Sequence, residues 1–331
     1  MNDLVLETND LTKRYGDRLA VDSVTMTVRR GEVYGFLGPN GAGKTTTLRM
    51  CLGLVHPSSG SAVVLGRPAG DSDAIARVGA LIEGPGFYPY LSGRANLQVM
   101  ARYRGLADRV VDDALERVEL ADRGGDKFKS YSLGMKQRLG VAAALMGEPE
   151  LIVLDEPTNG LDPGGMADMR ALIVDLAKRG QTVLLSSHLL AEVEEICDRV
   201  GVISRGRLLE ESTVADLRGG RRLRVVASPL DRALAVGMRF TENAEVDGDA
   251  VVLDVPDERT PDVVRALVGE GLDVHEAVVT ERTLEEVFFA MTSDQTSDQT
   301  GDQASDRTGR QPLDRNDPIS GLVEPGTEIV R

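Results

Sequence analysis

Cysteine, basic charge and long apolar runs are what this 331-residue chain has least of. Its two cysteines, Cys51 and Cys197, each sit in an apolar stretch of helical pattern. Such surroundings read as buried free thiols of a reducing compartment, not as a disulfide or half of a zinc site. Lys and Arg number 38 against 53 Asp and Glu, a net charge of −15. A domain that grips nucleic acid by its phosphates is normally basic, so direct nucleic-acid contact is not expected. No apolar run approaches the roughly 20 residues needed to cross a bilayer. The acidic opening, Met1 to Asp10, lacks a basic region followed by an apolar core, so no signal peptide is expected. If the protein works at a membrane, another chain must do the spanning.

Aromatic residues are also few, six Tyr, six Phe and no Trp, and three of them cluster in Phe87-Tyr88-Pro89-Tyr90. Clustered aromatics suit a partner's helix, because they contribute large buried area at interfaces. Packing inside the surrounding helices is an equally good reading.

What the chain does have is a phosphate cradle. Gly38-Pro39-Asn40-Gly41-Ala42-Gly43-Lys44-Thr45, followed by Thr46, comes after the apolar run Val33 to Leu37 and opens a helical segment, Thr45 to Leu52. Strand, glycine loop and helix in that order turn backbone N–H groups onto a polyphosphate with no Cβ in the way. The helix dipole adds to the attraction. Lys44 would reach the β- and γ-phosphates, and the Thr45 hydroxyl would take one position on Mg²⁺. The four fixed positions recur by chance in about one chain in a hundred of this length, and the flanking strand and helix make chance less credible still.

Leu4 to Thr8 and Ala20 to Val28 read as strands, and Tyr15 lies in the polar turn between them. Further strands are Ala62 to Leu65 and Val78 to Ile82, the latter ending at Glu83. Ser92 can cap a helix running to about Arg104, and a second amphipathic helix spans Ala107 to Val118. From Leu151 the pattern becomes strand–helix alternation: strands Leu151 to Leu154, Thr182 to Leu185 and Val200 to Ser204, helices Gly165 to Lys178 and Leu189 to Cys197. Such alternation indicates a mostly parallel sheet covered by helices. After the break at Gly219-Gly220 the chain reads as a small α+β unit. From Ser293 it repeats a polar tetrapeptide, first Ser293-Asp294-Gln295-Thr296, too apolar-poor to offset ordering entropy, so disorder is expected.

The strand Leu151-Ile152-Val153-Leu154 ends in Asp155-Glu156. It would deliver Asp155 beside the metal and place Glu156 to polarise a water for attack on the γ-phosphate. Taken singly, Tyr15 reads as a loop aromatic, Ser132 as a helix cap and His188 as a structural histidine. In their order they resemble the ATPase subunit of an ATP-binding cassette transporter. The resemblance covers Leu4 to about Glu210. Tyr15 matches that family's adenine-stacking aromatic, Gly38 to Thr45 its phosphate loop, and Ser132 and Gly134 its signature motif. Asp155 and Glu156 match the metal and catalytic carboxylates. Asn159-Gly160-Leu161-Asp162 matches the loop that follows, and Ser186-Ser187-His188 the switch histidine.

Two positions depart from the family pattern. The usual Leu-Ser-Gly-Gly-Gln reads Tyr131-Ser132-Leu133-Gly134-Met135 here, which keeps a hydroxyl and a helix N-terminus for a γ-phosphate. Where the family usually has glutamine, this chain has Glu83, which can bind Mg²⁺ but adds negative charge near the nucleotide. The stretch Leu81 to Tyr88 and the ending Thr283-Leu284-Glu285-Glu286-Val287-Phe288 resemble the bacitracin, lantibiotic and multidrug exporter subgroup.

The resemblance implies an α/β fold: a P-loop cassette ATPase with a mostly parallel sheet, antiparallel strands and a helical signature subdomain. The expected divisions are a nucleotide-binding domain at 1–218 with its helical part at about 84–148, an α+β accessory domain at 219–292, and a disordered tail at 293–331. It implies ATP and Mg²⁺ as cofactors. Tyr15, Gly38, Pro39, Asn40, Gly41, Ala42, Gly43, Lys44, Thr45, Thr46 and Asp162 are expected at the nucleotide. Ser132 and Gly134 are expected to reach it from a second copy. Thr45, Glu83 and Asp155 are the expected metal ligands, and Glu156 and His188 the catalytic pair. The partners are a homodimer mate and an integral-membrane permease, which places the chain at the cytoplasmic face of the membrane as an exporter subunit. Competing readings are a cassette ATPase acting on ribosomes or DNA and a small-molecule kinase; the signature stretch and Ser187-His188 count against the kinase.

Overall fold

In four strands every residue is buried: Val33–Leu37, Leu151–Asp155, Thr182–Ser187 and Arg199–Ser204. Near-continuous burial of this kind belongs to a parallel sheet covered on both faces. The computed structural model, which describes residues 3–281 and 283–297, has that sheet at its centre. Its order is Arg207–Thr213, Arg199–Ser204, Val33–Leu37, Thr182–Ser187, Leu151–Asp155, Val78–Leu81. All neighbours are parallel except Arg207–Thr213, which closes one edge antiparallel.

Side chains alternate across these strands with the period of two that a pleat imposes. Val33, Leu37, Ile152, Leu154, Val183 and Leu185 join one core, with the helices Gly93–Tyr103, Arg109–Arg117, Leu133–Leu145 and Pro163–Lys178. Tyr34, Phe36, Leu151, Val153 and Leu184 join the other. That second core holds Leu48, Met50 and Cys51 of the helix Lys44–Cys51 and the inner face of an antiparallel sheet. The antiparallel sheet is built on the strand Leu4–Tyr15, flanked by Arg18–Val24, Thr27–Arg29 and Ser59–Val64, with Arg67–Pro68 at its edge.

A third sheet runs Ala244–Asp247, Ala250–Leu253, Arg222–Ser228, Asp273–Thr280, with all pairs antiparallel. It packs the helices Leu230–Gly237 and Thr260–Gly269 around a core of its own that includes Leu223, Val225, Val236, Leu253 and Val263. The helix Leu284–Ser297 then begins with Leu284 in the first core, and Phe288 and Met291 pack against that core too. The last helix takes in residues 293–297 of the segment expected to be a disordered tail, and residues 298–331 of it lie outside the described residues.

Other differences are local. The strand expected at Leu4 to Thr8 runs on to Tyr15, because its polar second half pairs with Arg18–Val24 in a hairpin turning at Gly16-Asp17. The expected single strand Ala20 to Val28 is two, interrupted at Thr25-Met26 just beyond Ser23, whose φ is 53°. Among the described residues no helix is long and apolar enough to cross a membrane.

Candidate functional site

Three neighbouring parallel strands end at the same edge of the central sheet: Val33–Leu37, Thr182–Ser187 and Leu151–Asp155. The carboxyl ends of such strands open onto the crevice where α/β sheets bind ligands. Here they deliver the glycine loop, His188 and Asp155-Glu156 to one place.

The loop's glycines are required by space. A Cβ on Gly38 would lie 2.2 Å from the Ile203 carbonyl oxygen, and one on Gly43 2.6 Å from that of Ala20. Gly43 also sits at φ 110°, a conformation that side chains rarely adopt. It is the N-cap of Lys44–Cys51, so the helix's unpaired N–H groups open onto the crevice.

Lys44 is buried at 5% exposure, and its Nζ donates to the Gly38 carbonyl at 2.6 Å and lies 3.0 Å from Glu156 Oε1. The other Glu156 oxygen, Oε2, is 2.7 Å from His188 Nδ1. Thr45 Oγ1 donates to Asp155 Oδ2 at 2.8 Å, and Ser186 Oγ donates to Asp155 Oδ1 at 2.5 Å. Glu156 takes φ 50°, and its N–H donates to Ser186 Oγ at 3.1 Å. Left-handed backbone at a non-glycine residue costs on the order of 1–3 kcal/mol and is held only where the surroundings over-determine it.

Lys44, Thr45 and Glu156 line a cavity of about 440 Å³ whose wall also includes Tyr15, Asn40, Gly41 and Thr46; Asp155 and His188 are not in that wall and join the cluster through their bonds to Thr45 and Glu156. Tyr15 is 49% exposed at this cavity, with Lys13 Nζ 5.1 Å from its ring centroid. Two lining residues, Arg18 and Ala20, carry no motif and were not anticipated. Nor was the bond from Ser186, which ties the strand before His188 to the Asp155 carboxylate.

The donor set fits a hard divalent cation: a hydroxyl and a carboxylate oxygen, Thr45 Oγ1 and Asp155 Oδ2, already in contact at the loop. Glu83 stands apart from them. It is ion-paired with Arg49 Nη2 at 2.6 Å, its side chain 60% exposed, and it is not in the cavity wall. Its extra negative charge is therefore partnered by a guanidinium from the helix that follows the glycine loop.

Ser132, Gly134 and Asp162 lie elsewhere. They line a second cavity, of about 600 Å³, that shares no residue with the first. Ser132 Oγ accepts from the Met135 N–H at 3.3 Å and so caps Leu133–Leu145. Asp162 Oδ1 accepts from the Gly165 N–H at 3.1 Å and caps Pro163–Lys178. Asp162, expected with the nucleotide, thus faces the signature stretch of its own chain. Tyr131 is buried beneath that stretch with its hydroxyl donating to the Arg123 carbonyl at 2.7 Å. Burial, chiefly, pushes its phenol above the ordinary range.

The aromatic cluster divides between its two readings. Phe87 packs edge-on against Phe128 at 5.2 Å, whereas Tyr88 and Tyr90 are 51% and 67% exposed. Tyr88 also lines an open apolar groove of about 1470 Å³ with Leu54, Val99, Met100 and Tyr103.

Comparison with known proteins agrees with this geometry. The ABC transporter family profile matches residues 21–159. The bacitracin transport ATP-binding protein BcrA of Bacillus licheniformis is 40% identical over 301 residues, 88% of this chain and 98% of the relative. The daunorubicin resistance ATP-binding protein DrrA3 of Streptomyces coeruleorubidus is 37% identical over 308 residues, 89% of this chain and 98% of its own length. A solved structure of the ATP-binding subunit of an ABC transporter superposes with a TM-score of 0.58 at 31% identity, over 65% of this chain and 92% of that one.

Proposed function

This chain belongs to the ABC transporter family as an ATP-binding subunit, an ATPase, and from that membership we propose an exporter motor that works as a homodimer on a separate permease. The observation that carries the reading is the contact chain Lys44–Glu156–His188 beside Thr45–Asp155, all at the ends of three adjacent strands.

Lys44 and the N–H groups of the glycine loop hold the β- and γ-phosphates, and Tyr15 stacks on the adenine. Glu156 accepts a proton from the attacking water. With His188 Nδ1 engaged by Glu156, the ring's Nε2 is the nitrogen we assign to the γ-phosphate. Thr45 and Asp155 are assigned to Mg²⁺, which when bound neutralises charge on the phosphate oxygens. Glu83 is a third metal ligand on this reading, and to serve it exchanges the Arg49 guanidinium for the cation.

A single chain keeps its Lys44 cavity and its Ser132 cavity separate, which supports a closed site made from two copies head to tail. Closure would then push on a permease helix lodged in the groove beside Glu83 to Leu97, where Tyr88 and Met100 are exposed. On this reading the subunit works at the cytoplasmic face of a membrane. Relatives named for bacitracin transport and daunorubicin resistance favour export of a drug, peptide or lipid-like molecule.

Two variants test the site. Glu156→Gln should keep ATP affinity and lose turnover by about 100-fold or more, the share a general base contributes. Lys44→Ala should lose nucleotide binding itself. Wild-type turnover in the first, or undiminished affinity in the second, removes the corresponding assignment. Stimulation of the ATPase by ribosomes or DNA, and not by a co-purifying membrane protein, would favour the non-transport reading.

A further inference from the structure

The helix Leu190–Ile196 starts two residues after His188 and has seven residues, two turns. A helix so short has little stability of its own, so its position is set by what it touches. Three of its residues are carboxylates, and each bonds to a different part of the chain.

Glu192 is buried, and its Oε2 accepts from Thr158 Oγ1 at 2.6 Å, two residues beyond Glu156. Its other oxygen, Oε1, is buried and has no hydrogen-bond partner among the described residues. Glu195 pairs with Arg170 of Pro163–Lys178, the helix that Asp162 caps. Glu194 faces the C-terminal part of the chain: Oε1 lies 3.1 Å from Arg218 Nε, and Oε2 accepts the Leu284 N–H at 3.2 Å.

The contacts continue outward from there. Arg218 also pairs with Glu281, Glu281 lies 3.1 Å from Arg221 Nε, and Arg221 Nη1 lies 2.8 Å from Asp257. Asp257 opens the turn before the helix Thr260–Gly269 of the third sheet's core, and Leu284 begins the last helix, 2% exposed in the first core. Arg218 and Glu194 are 32% and 20% exposed, so solvent screens their attraction less than that of a surface pair.

We propose that Glu194 is a positioning residue for ATP hydrolysis. By holding both Arg218 and the start of the last helix, it fastens the Leu190–Ile196 helix, and with it His188, to the C-terminal α+β unit. Whatever rearranges that unit then alters turnover without touching the nucleotide. The catalytic side of the helix is held at Glu192 through one oxygen and by Val193 in the first core, and the outer tether fixes its other side. The inference rests on the assignment of His188 to hydrolysis.

The test is steady-state ATPase kinetics and ATP affinity of the full chain for Glu194→Ala, Glu281→Gln and the double variant, with thermal unfolding alongside. Each single change should lower kcat roughly three- to tenfold, the usual reach of coupling between distant positions. KM and ATP affinity should stay within about twofold, because Lys44 and the glycine loop are untouched. The double variant should be no slower than the slower single, since both residues sit on one relay. Glu281→Gln, at an exposed site, keeps the test intact if Glu194→Ala does not fold.

Wild-type kcat in either single variant, multiplied losses in the double, or a rise in KM that tracks lost thermal stability would each overturn the proposal. Glu156→Gln measured in parallel separates the two readings. Wild-type turnover there with slowed Glu194→Ala sinks the general base and leaves the relay. A dead Glu156→Gln with wild-type Glu194→Ala and Glu281→Gln sinks the relay alone.

Discussion

At the scale of single residues, the glycines of the phosphate loop divide by the reason they are needed. Gly41 has φ 80° and open space around its absent Cβ, so a side chain there meets only the backbone penalty of the left-handed region, about 1 kcal/mol. Gly43 combines φ 110° with a 2.6 Å approach to the Ala20 carbonyl, a backbone atom that cannot swing aside. Gly43→Ala should therefore destabilise the fold by about 1–3 kcal/mol and abolish ATP binding, while Gly41→Ala keeps measurable affinity. Urea unfolding and a nucleotide titration of both variants check the order; equal effects would mean that close approach is not what selects Gly43. Glu83 illustrates the opposite situation, where residue type alone was informative and placement was not. The sequence reads Glu83 as a carboxylate near the nucleotide, but it does not show the partner Arg49, because no motif links the two positions.

At the scale of elements, legibility followed burial. Val33–Leu37, Leu151–Asp155 and Thr182–Ser187 are buried throughout, so their apolar runs announced a covered parallel sheet without further help. Arg207–Thr213 and Ala244–Asp247 did not stand out, because each lies at a sheet edge and is mostly exposed or half-buried, leaving a polar sequence no different from a loop's. The candidate site residues stand out because they come in ordered motifs. Ser186, Arg18 and the carboxylates after His188 act through neighbours distant in sequence, which a single chain's pattern does not encode. Burial of elements also governs the two thiols. Cys51, on the helix after the glycine loop, is 1% exposed, and burial pushes its thiol up to about 12; burial drives Cys197 higher still. With the folded pKa that far above pH 8, about one Cys51 in ten thousand is thiolate there. Aromatic-disulfide reagents at pH 8 should label neither cysteine of the native protein and both in denaturant. Rapid native labelling would mean that these helices open far more readily than their packing indicates.

At the scale of the whole molecule, the burial of both native thiols makes the two-copy arrangement directly testable. One chain presents the phosphate loop in one cavity and Ser132 in another, with no lining residue in common. A homodimer that sandwiches two nucleotides brings Asn40 of one copy near Ser132 of the other, and within one copy these positions belong to different cavities. Introducing Asn40→Cys and Ser132→Cys into separate preparations of the Glu156→Gln protein, then mixing them with ATP and a short bifunctional thiol crosslinker, should give a covalent dimer. Omitting ATP, or adding Lys44→Ala to the Asn40→Cys chain, should abolish about half or more of the product, because each interface then lacks at least one of its triphosphates. Because the native cysteines are buried, product of the correct mass requires the two introduced thiols to meet. Monomer alone at saturating ATP, under conditions where each single variant still binds nucleotide, would dismantle the head-to-tail site. The power stroke proposed to reach a permease through the Tyr88 groove would fall with it.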